Sequence, residues 1–257
     1  MGEDEPACRD AVLVLRGVDK VFGVGGRRHR VLAGVSLELG AGEVGVVVAS
    51  RVQGKTTLLK VAAGMLPVDA GEVRFVGRDL KGLSDADRER LLGGEIGWAC
   101  RAGPGRMAFD VRDYVGLQLI RGHRLRSREP GDRTHAVLER LGVAGCLELS
   151  WTKLSDWERV CVELAQAIVC GPRLLLVDDL LAGLSMDHTR EAMRLIRSFA
   201  AEDGLAVLMG CSDEEPAMRA HRIWRLEEGE LTLDDEPQYD DRAVVNLPRH
   251  RRRRGSA

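Results

Sequence analysis

Gly54-Lys55-Thr56-Thr57 follows a short run rich in valine, Val44 to Val48, and precedes an apolar helical pattern that begins at Leu58. A glycine, a lysine and a hydroxyl residue at a strand-to-helix turn suit phosphate binding. Backbone N–H groups at a helix N-terminus cradle phosphate oxygens, the ammonium reaches the β and γ phosphates, and the threonine hydroxyl ligates Mg²⁺. The strict pattern G-x-x-x-x-G-K-[ST] is missed by one methyl group, because Ala49 stands at its first glycine. Two features favour a phosphate loop over an ordinary turn. Lys55 is one of five lysines in a chain that otherwise uses arginine, and a second apolar run, Leu174 to Val177, ends on the acidic pair Asp178-Asp179. The six histidines show no ligand or triad spacing, and Cys8, Cys100, Cys146, Cys161, Cys170 and Cys211 form no C-x-x-C pair, so these thiols read as buried and free.

The elements that must hold this loop follow from hydrophobic periodicity. Val44 to Ala49 reads as a strand buried on both faces, as in a parallel sheet, and Thr56 to about Gly64 as a helix that Pro67 stops. Ala11 to Leu15, Val31 to Leu39 and Glu72 to Val76 read as further strands. Ser84-x-x-Asp87 and Ser155-x-x-Glu158 are capping boxes, the second opening a helix to about Cys170 that Gly171-Pro172 ends. Met186 to Asp203 reads as a helix, Leu205 to Met209 as a third buried strand, and Arg222 to Leu226 with Glu230 to Leu233 as a hairpin. Residues from about 100 to 150 read as a mostly helical insertion. The alternation predicts an α/β fold with a parallel core sheet over 11–235, between a polar tail, 1–10, and an arginine-rich one, 236–257.

Composition excludes several classes. With 257 residues, 44% of them hydrophobic, the chain can build a core, which rules out disorder as its main state. A net charge of -2 gives no field for nucleic acid, and 4% aromatics argue against base-stacking platforms and membrane-interface belts. Arg249 and Arg251 to Arg254 sit at the end, where they serve either anionic lipid or a solvated tail, and leave the remainder acidic. No apolar run reaches the roughly 18 residues of a membrane span, and the acidic start is unlike a signal peptide, so a cytoplasmic location is expected.

Val31-Leu-Ala-Gly-Val-Ser-Leu-Glu-Leu39, Gly42-Glu43, Gly54 to Leu59, Gly64-Met-Leu-Pro67, Gly71-Glu-Val73, Ile96-Gly97, Leu154-Ser155, Leu174 to Asp178 and Arg222-x-x-Arg225-Leu226-x-x-Gly229 stand in an order and spacing that resembles the ATP-binding subunit of an ABC transporter. Leu83-Ser84-Asp85 to Ile96-Gly97 is most similar to the lipoprotein-releasing and macrolide-exporter branch. The resemblance implies a P-loop NTPase core with a mostly parallel sheet, an antiparallel β subdomain and a helical subdomain over about 101–160. It implies ATP and Mg²⁺ as cofactors, with Gln53, Gly54, Lys55, Thr56 and Thr57 around the phosphates and Thr56 with Asp178 at the metal. Phe22 would stack on adenine, or else belong to the core. The implied partners are an integral membrane permease subunit, at the inner face of the cell membrane, and a second ABC ATPase in a homo- or heterodimer. Phe109, Val111, Tyr114, Val115 and Leu117 are candidates for the permease contact or for the helical part's own core. Nucleic acid is disfavoured, since the chain holds one cassette.

Departures from the family pattern fall on the positions of hydrolysis. Val52 replaces a glycine, a strained choice if that position has positive φ. Asp179 stands where the family has the glutamate that acts on the attacking water, and its carboxylate is held back by one C–C bond, roughly 1.5 Å. Displacement on that scale can cost about 10²-fold in rate. Arg101 replaces a glutamine and has no acceptor for a metal, though it can contact phosphate. Ser212 replaces the switch histidine, and Ser185 the aspartate after Leu184. The signature Leu-Ser-Gly-Gly-Glu becomes Leu154-Ser155-Asp156-Trp157-Glu158, putting a carboxylate and an indole where a partner's γ-phosphate would lie. The expected function is an ATP-binding subunit with weakened or lost hydrolysis; the alternative is an inactive regulatory or structural module beside a competent ATPase.

Overall fold

The computed structural model describes residues 11–24, 27–50, 52–103, 109–121 and 130–234. The polar start, Cys8 and the arginine-rich end lie outside them. Four strands, β1 (Ala11–Val24), β2 (Arg27–Gly40), β4 (Ala70–Phe75) and β5 (Arg78–Asp79), form an antiparallel sheet in the order β2-β1-β4-β5. The second sheet contains β3 (Val44–Val48), β6 (Ile96–Cys100), β7 (Leu174–Asp178), β8 (Ala206–Cys211), β9 (Arg222–Glu227) and β10 (Glu230–Asp234). Its order is β10-β9-β3-β8-β7-β6, parallel throughout except for the terminal β9–β10 hairpin. The α/β fold with a parallel core sheet and an antiparallel partner sheet is therefore present.

Side-chain alternation in these strands explains how one sheet serves two cores. Val44, Val46, Leu175, Val177, Val207 and Met209 face a core shared with α5 (Asp156–Ile168) and α6 (Met186–Asp203). Val47, Leu174, Leu176, Ala206 and Leu208 face the other core, shared with α1 (Lys55–Ala62) and the antiparallel sheet. Burial on both faces is why these strands read as unbroken apolar runs. Helices α3 (Val111–Arg121) and α4 (Pro130–Arg140) pack against α5 as the helical part. Val111 and Val115 are buried within that cluster, which resolves the open reading of these two residues in favour of the helical part's own core.

Two elements differ from expectation. The helix capped by Ser84 is short, α2 (Asp85–Arg90), and one wide turn over Leu91–Glu95 leads directly into β6. β6 itself was not legible as a strand, because a glycine interrupts its apolar pattern. Gly97 is required there: a Cβ would lie 2.3 Å from the Ala167 carbonyl oxygen, so only glycine lets α5 approach β6 this closely. Among the described residues, no helix is long and apolar enough to cross a membrane.

Candidate functional site

Three neighbouring parallel strands deliver the candidate residues to one edge of the sheet. β3 leads into the loop before Lys55, β7 ends on Asp178, and β8, which lies between them, runs out into Ser212. The backbone ties these exits together, since Ala49 N–H donates to the Cys211 carbonyl at 3.1 Å and Asp179 N–H to the Gly210 carbonyl at 3.0 Å. Crevices outside the carboxyl ends of parallel strands are where open α/β sheets hold ligands. Here the crevice is a cleft of about 710 Å³, lined by Phe22, His29 and Val31 from the antiparallel sheet, Val52 and Gly54 to Thr57 of the phosphate loop, and Asp179, Ala182, Gly183, Ser212 and Asp213.

Gly54 caps α1 with φ 102°, and a Cβ on it would meet Val31 at 2.9 Å. This is a position for glycine on both counts. Val52 has φ 71° and is 99% exposed, so the anticipated left-handed valine is present and packs on nothing that compensates it. Lys55 is buried, and its ammonium donates to the carbonyls of Ala49 (2.8 Å) and Ser50 (3.2 Å) and to Ser212 Oγ (3.0 Å). Ser212 Oγ in turn donates to Asp179 Oδ1 at 3.3 Å, while Asp179 Oδ2 lies 3.6 Å from Lys55 Nζ. Lys55, Ser212 and Asp179 thus form a closed polar ring at the mouth of the cleft.

Behind it, Thr56 Oγ1 lies 2.8 and 3.0 Å from the two carboxylate oxygens of Asp178. Burial raises the Asp178 carboxyl above its usual range, partly offset by the Thr56 hydrogen bond and reinforced by neighbouring Asp179. A hydroxyl and a carboxylate converging on one point beside a phosphate loop is a donor set that fits Mg²⁺, which takes one or two protein oxygens and completes its shell with phosphate and water.

The N-terminus of α5 is a separate place. Ser155 is its N-cap and makes the expected reciprocal capping box, with Glu158 Oε2 accepting from Ser155 N–H at 2.7 Å. Asp156 pairs with Arg159 at 3.4 Å and lies 4.0 Å from Arg101, whose guanidinium also donates to the Ala182 carbonyl. Trp157 stacks on His188 of α6, ring centres 5.0 Å apart and planes 11° from parallel. Three substituted positions, Arg101, Asp156 and Trp157, are therefore engaged within the chain, and the tryptophan packs against the core's own helix. Ser185, at another substituted position, is the N-cap of α6 and accepts from His188 N–H.

A family profile described as ABC transporter matches residues 32–182. The chain belongs to the ABC transporter family. The lipoprotein-releasing system ATP-binding protein LolD 2 of Rhodospirillum rubrum is 29% identical over 220 residues, covering 86% of this chain and 95% of that protein. The macrolide export ATP-binding/permease protein MacB of Wolinella succinogenes is 26% identical over 238 residues, 92% of this chain and 36% of that longer protein. The ATP-binding cassette MJ0796, solved as a post-hydrolysis dimer bound to ADP and Pi, has a TM-score of 0.76 at 22% identity, covering 85% of this chain and 96% of that one. This chain is thus an ABC ATP-binding subunit of the lipoprotein-releasing and macrolide-export branch, with the P-loop NTPase fold.

In this ABC chain the cleft brings together Phe22, Gly54, Lys55, Thr56, Thr57, Asp179 and Ser212, with Asp178 bonded behind Thr56. Gln53, expected around the phosphates, is half-buried in the loop between Val52 and Gly54 and does not line the cleft. Arg101, Ser155, Asp156, Trp157 and Glu158 form the second cluster and do not line the cleft. His29 and Val31 line it and were not singled out from sequence. The signal was present: Gly25-Gly26 between two strands marks a hairpin, and counting outward from it pairs Phe22 with His29.

Proposed function

We propose that this subunit binds Mg-ATP in the cleft at the carboxyl edge of the parallel sheet and hydrolyses it slowly or not at all, while coupling nucleotide binding to an integral membrane permease. The observation that carries the reading is the junction of Lys55, Thr56 and Asp178 at the N-terminus of α1. Phosphate oxygens would replace the loop carbonyls and Ser212 as partners of the Lys55 ammonium, and the amides that open α1 would hold the remaining oxygens. Thr56 and Asp178 would hold Mg²⁺, which when bound neutralises phosphate charge. Phe22 would take the base.

Slow hydrolysis is supported by what surrounds Asp179. Its carboxylate is held on the Ser212 hydroxyl at 3.3 Å and, one C–C bond shorter than a glutamate's, stands back by roughly 1.5 Å from where the family's carboxylate meets the water. Arg101 is bound to a carbonyl and a carboxylate, and offers no metal ligand. The test is phosphate release under saturating Mg-ATP. Turnover well below 1 s⁻¹, the lower end of ordinary enzymes, agrees with the proposal; turnover at or above it, abolished by Lys55→Ala, refutes it.

A second reading, an inactive regulatory or structural module beside a competent ATPase, is favoured by the α5 N-terminus. Asp156 faces Arg159 and Arg101, and Trp157 faces His188, so that helix end is committed to contacts within the chain where the family's glycines would receive a partner's phosphate. In both readings the subunit pairs with another ABC ATPase, itself or a homologue, and works peripherally at the cytoplasmic face of the membrane. Its domain is 11–235, with 101–160 as the helical part.

A further inference from the structure

We propose that His29 is a base-contacting residue of the cleft, forming with Phe22 a two-ring receptor for a nucleotide base. This rests on the nucleotide-binding reading and deepens it. Phe22 of β1 and His29 of β2 are direct partners in the antiparallel register. Directly opposed residues share a face of the sheet with Cβ atoms about 4.5–5.5 Å apart, so the two rings stand side by side, and both line the cleft. The Lys20 ammonium lies over the Phe22 ring, 5.5 Å from its centre. Lys20 is fixed there by the Pro67 carbonyl at 2.7 Å and Asp69 at 3.4 Å. A ring with a cation held over one face offers the other to a base.

Position along β2 sets the distance from the phosphates. Val31, two residues beyond His29 across a shift in the register, also lines the cleft and lies against the phosphate loop at Gly54. His29 is therefore set back along β2 from that contact by at most about 7 Å, which leaves room for a ribose between a base at His29 and the loop. A phosphate contact by His29 is disfavoured by this separation. Its ring adds a second aromatic plane beside that of Phe22.

Equilibrium binding of Mg-ADP and of Mg-pyrophosphate, the same two phosphates without a base, tests this on the full chain. Wild type is expected to bind ADP more tightly than pyrophosphate. His29→Ala is expected to weaken ADP about fivefold, the lower end for loss of one base–aromatic stack, and to leave pyrophosphate unchanged. His29→Phe, which keeps a ring, is expected to recover most of the loss. Lys55→Ala should weaken both ligands. If His29→Ala weakens both ligands alike, or neither, the proposal is overturned while the nucleotide reading stands. If wild type binds pyrophosphate as tightly as ADP, the base end is not a receptor and the proposal again fails alone. If wild type binds neither, the nucleotide reading itself fails and takes this proposal with it.

Discussion

Val52 holds a left-handed backbone at the tip of the phosphate loop with no packing in return. A β-branched residue in that region costs about 1–2 kcal/mol, against which a glycine loses roughly 0.4–1 kcal/mol through the unfolded chain. Val52→Gly is therefore expected to raise stability by up to about 1 kcal/mol in chemical denaturation; a clear loss would mean that the exposed side chain has a role. This strain was legible from sequence, since a valine stood at a family glycine. The ring of Lys55, Ser212 and Asp179 was not, because it depends on three strand exits meeting, and on Ser212 being short enough to accept from the lysine and donate to the aspartate at once. Sequence reading took Ser212 and Asp179 as two separate substitutions; in space they are one arrangement.

The start of α5 shows how an element can keep its structure while its surroundings change. Ser155 and Glu158 still form the capping box, and Asp156 in the first turn complements the helix dipole. Hydrogen bonding to Ser155 holds the Glu158 carboxyl below its usual range, which agrees with an ionised cap. Ser155→Ala is expected to cost about 1 kcal/mol of stability, measured by denaturant unfolding; an unchanged midpoint would show that the cap contributes nothing. The capping box was readable because it is local in sequence. The stacking of Trp157 on His188 was not, since the two residues lie on different helices and meet only when α5 and α6 share one face of the sheet. β6 was missed for a related reason: Gly97 weakens the strand pattern, and its purpose, the close approach of α5, lies far along the chain.

Across the whole molecule, one buried carboxyl joins the helical part to the segment that leaves β6. Glu163 of α5 accepts from Gly103 N–H at 2.8 Å and from the Tyr114 hydroxyl of α3 at 3.1 Å, and burial pushes its carboxyl up to about 7. An unfolded glutamate titrates near 4.5, so between these values the folded chain holds a proton that the unfolded chain has lost. Stability from this group is full at low pH and falls as pH rises to about 7, by an amount on the order of 3 kcal/mol. Glu163→Gln is expected to flatten this part of the profile, so that the variant gains on wild type in melting temperature between pH 5 and pH 8; parallel profiles would contradict it. The two-sheet architecture was legible because buried parallel strands carry their own apolar signature, whereas the seam at Glu163 depends on a tertiary contact between α3, α5 and the segment after β6. Calorimetric titration of Mg-ATP into wild type and Lys55→Ala checks whether nucleotide is held through Lys55, Thr56 and Asp178 with little or no turnover. The expected result is a saturable isotherm for wild type alone, without the sustained heat of hydrolysis. A featureless wild-type titration, or a sustained heat that Lys55→Ala abolishes and that corresponds to turnover at or above about 1 s⁻¹, would contradict it.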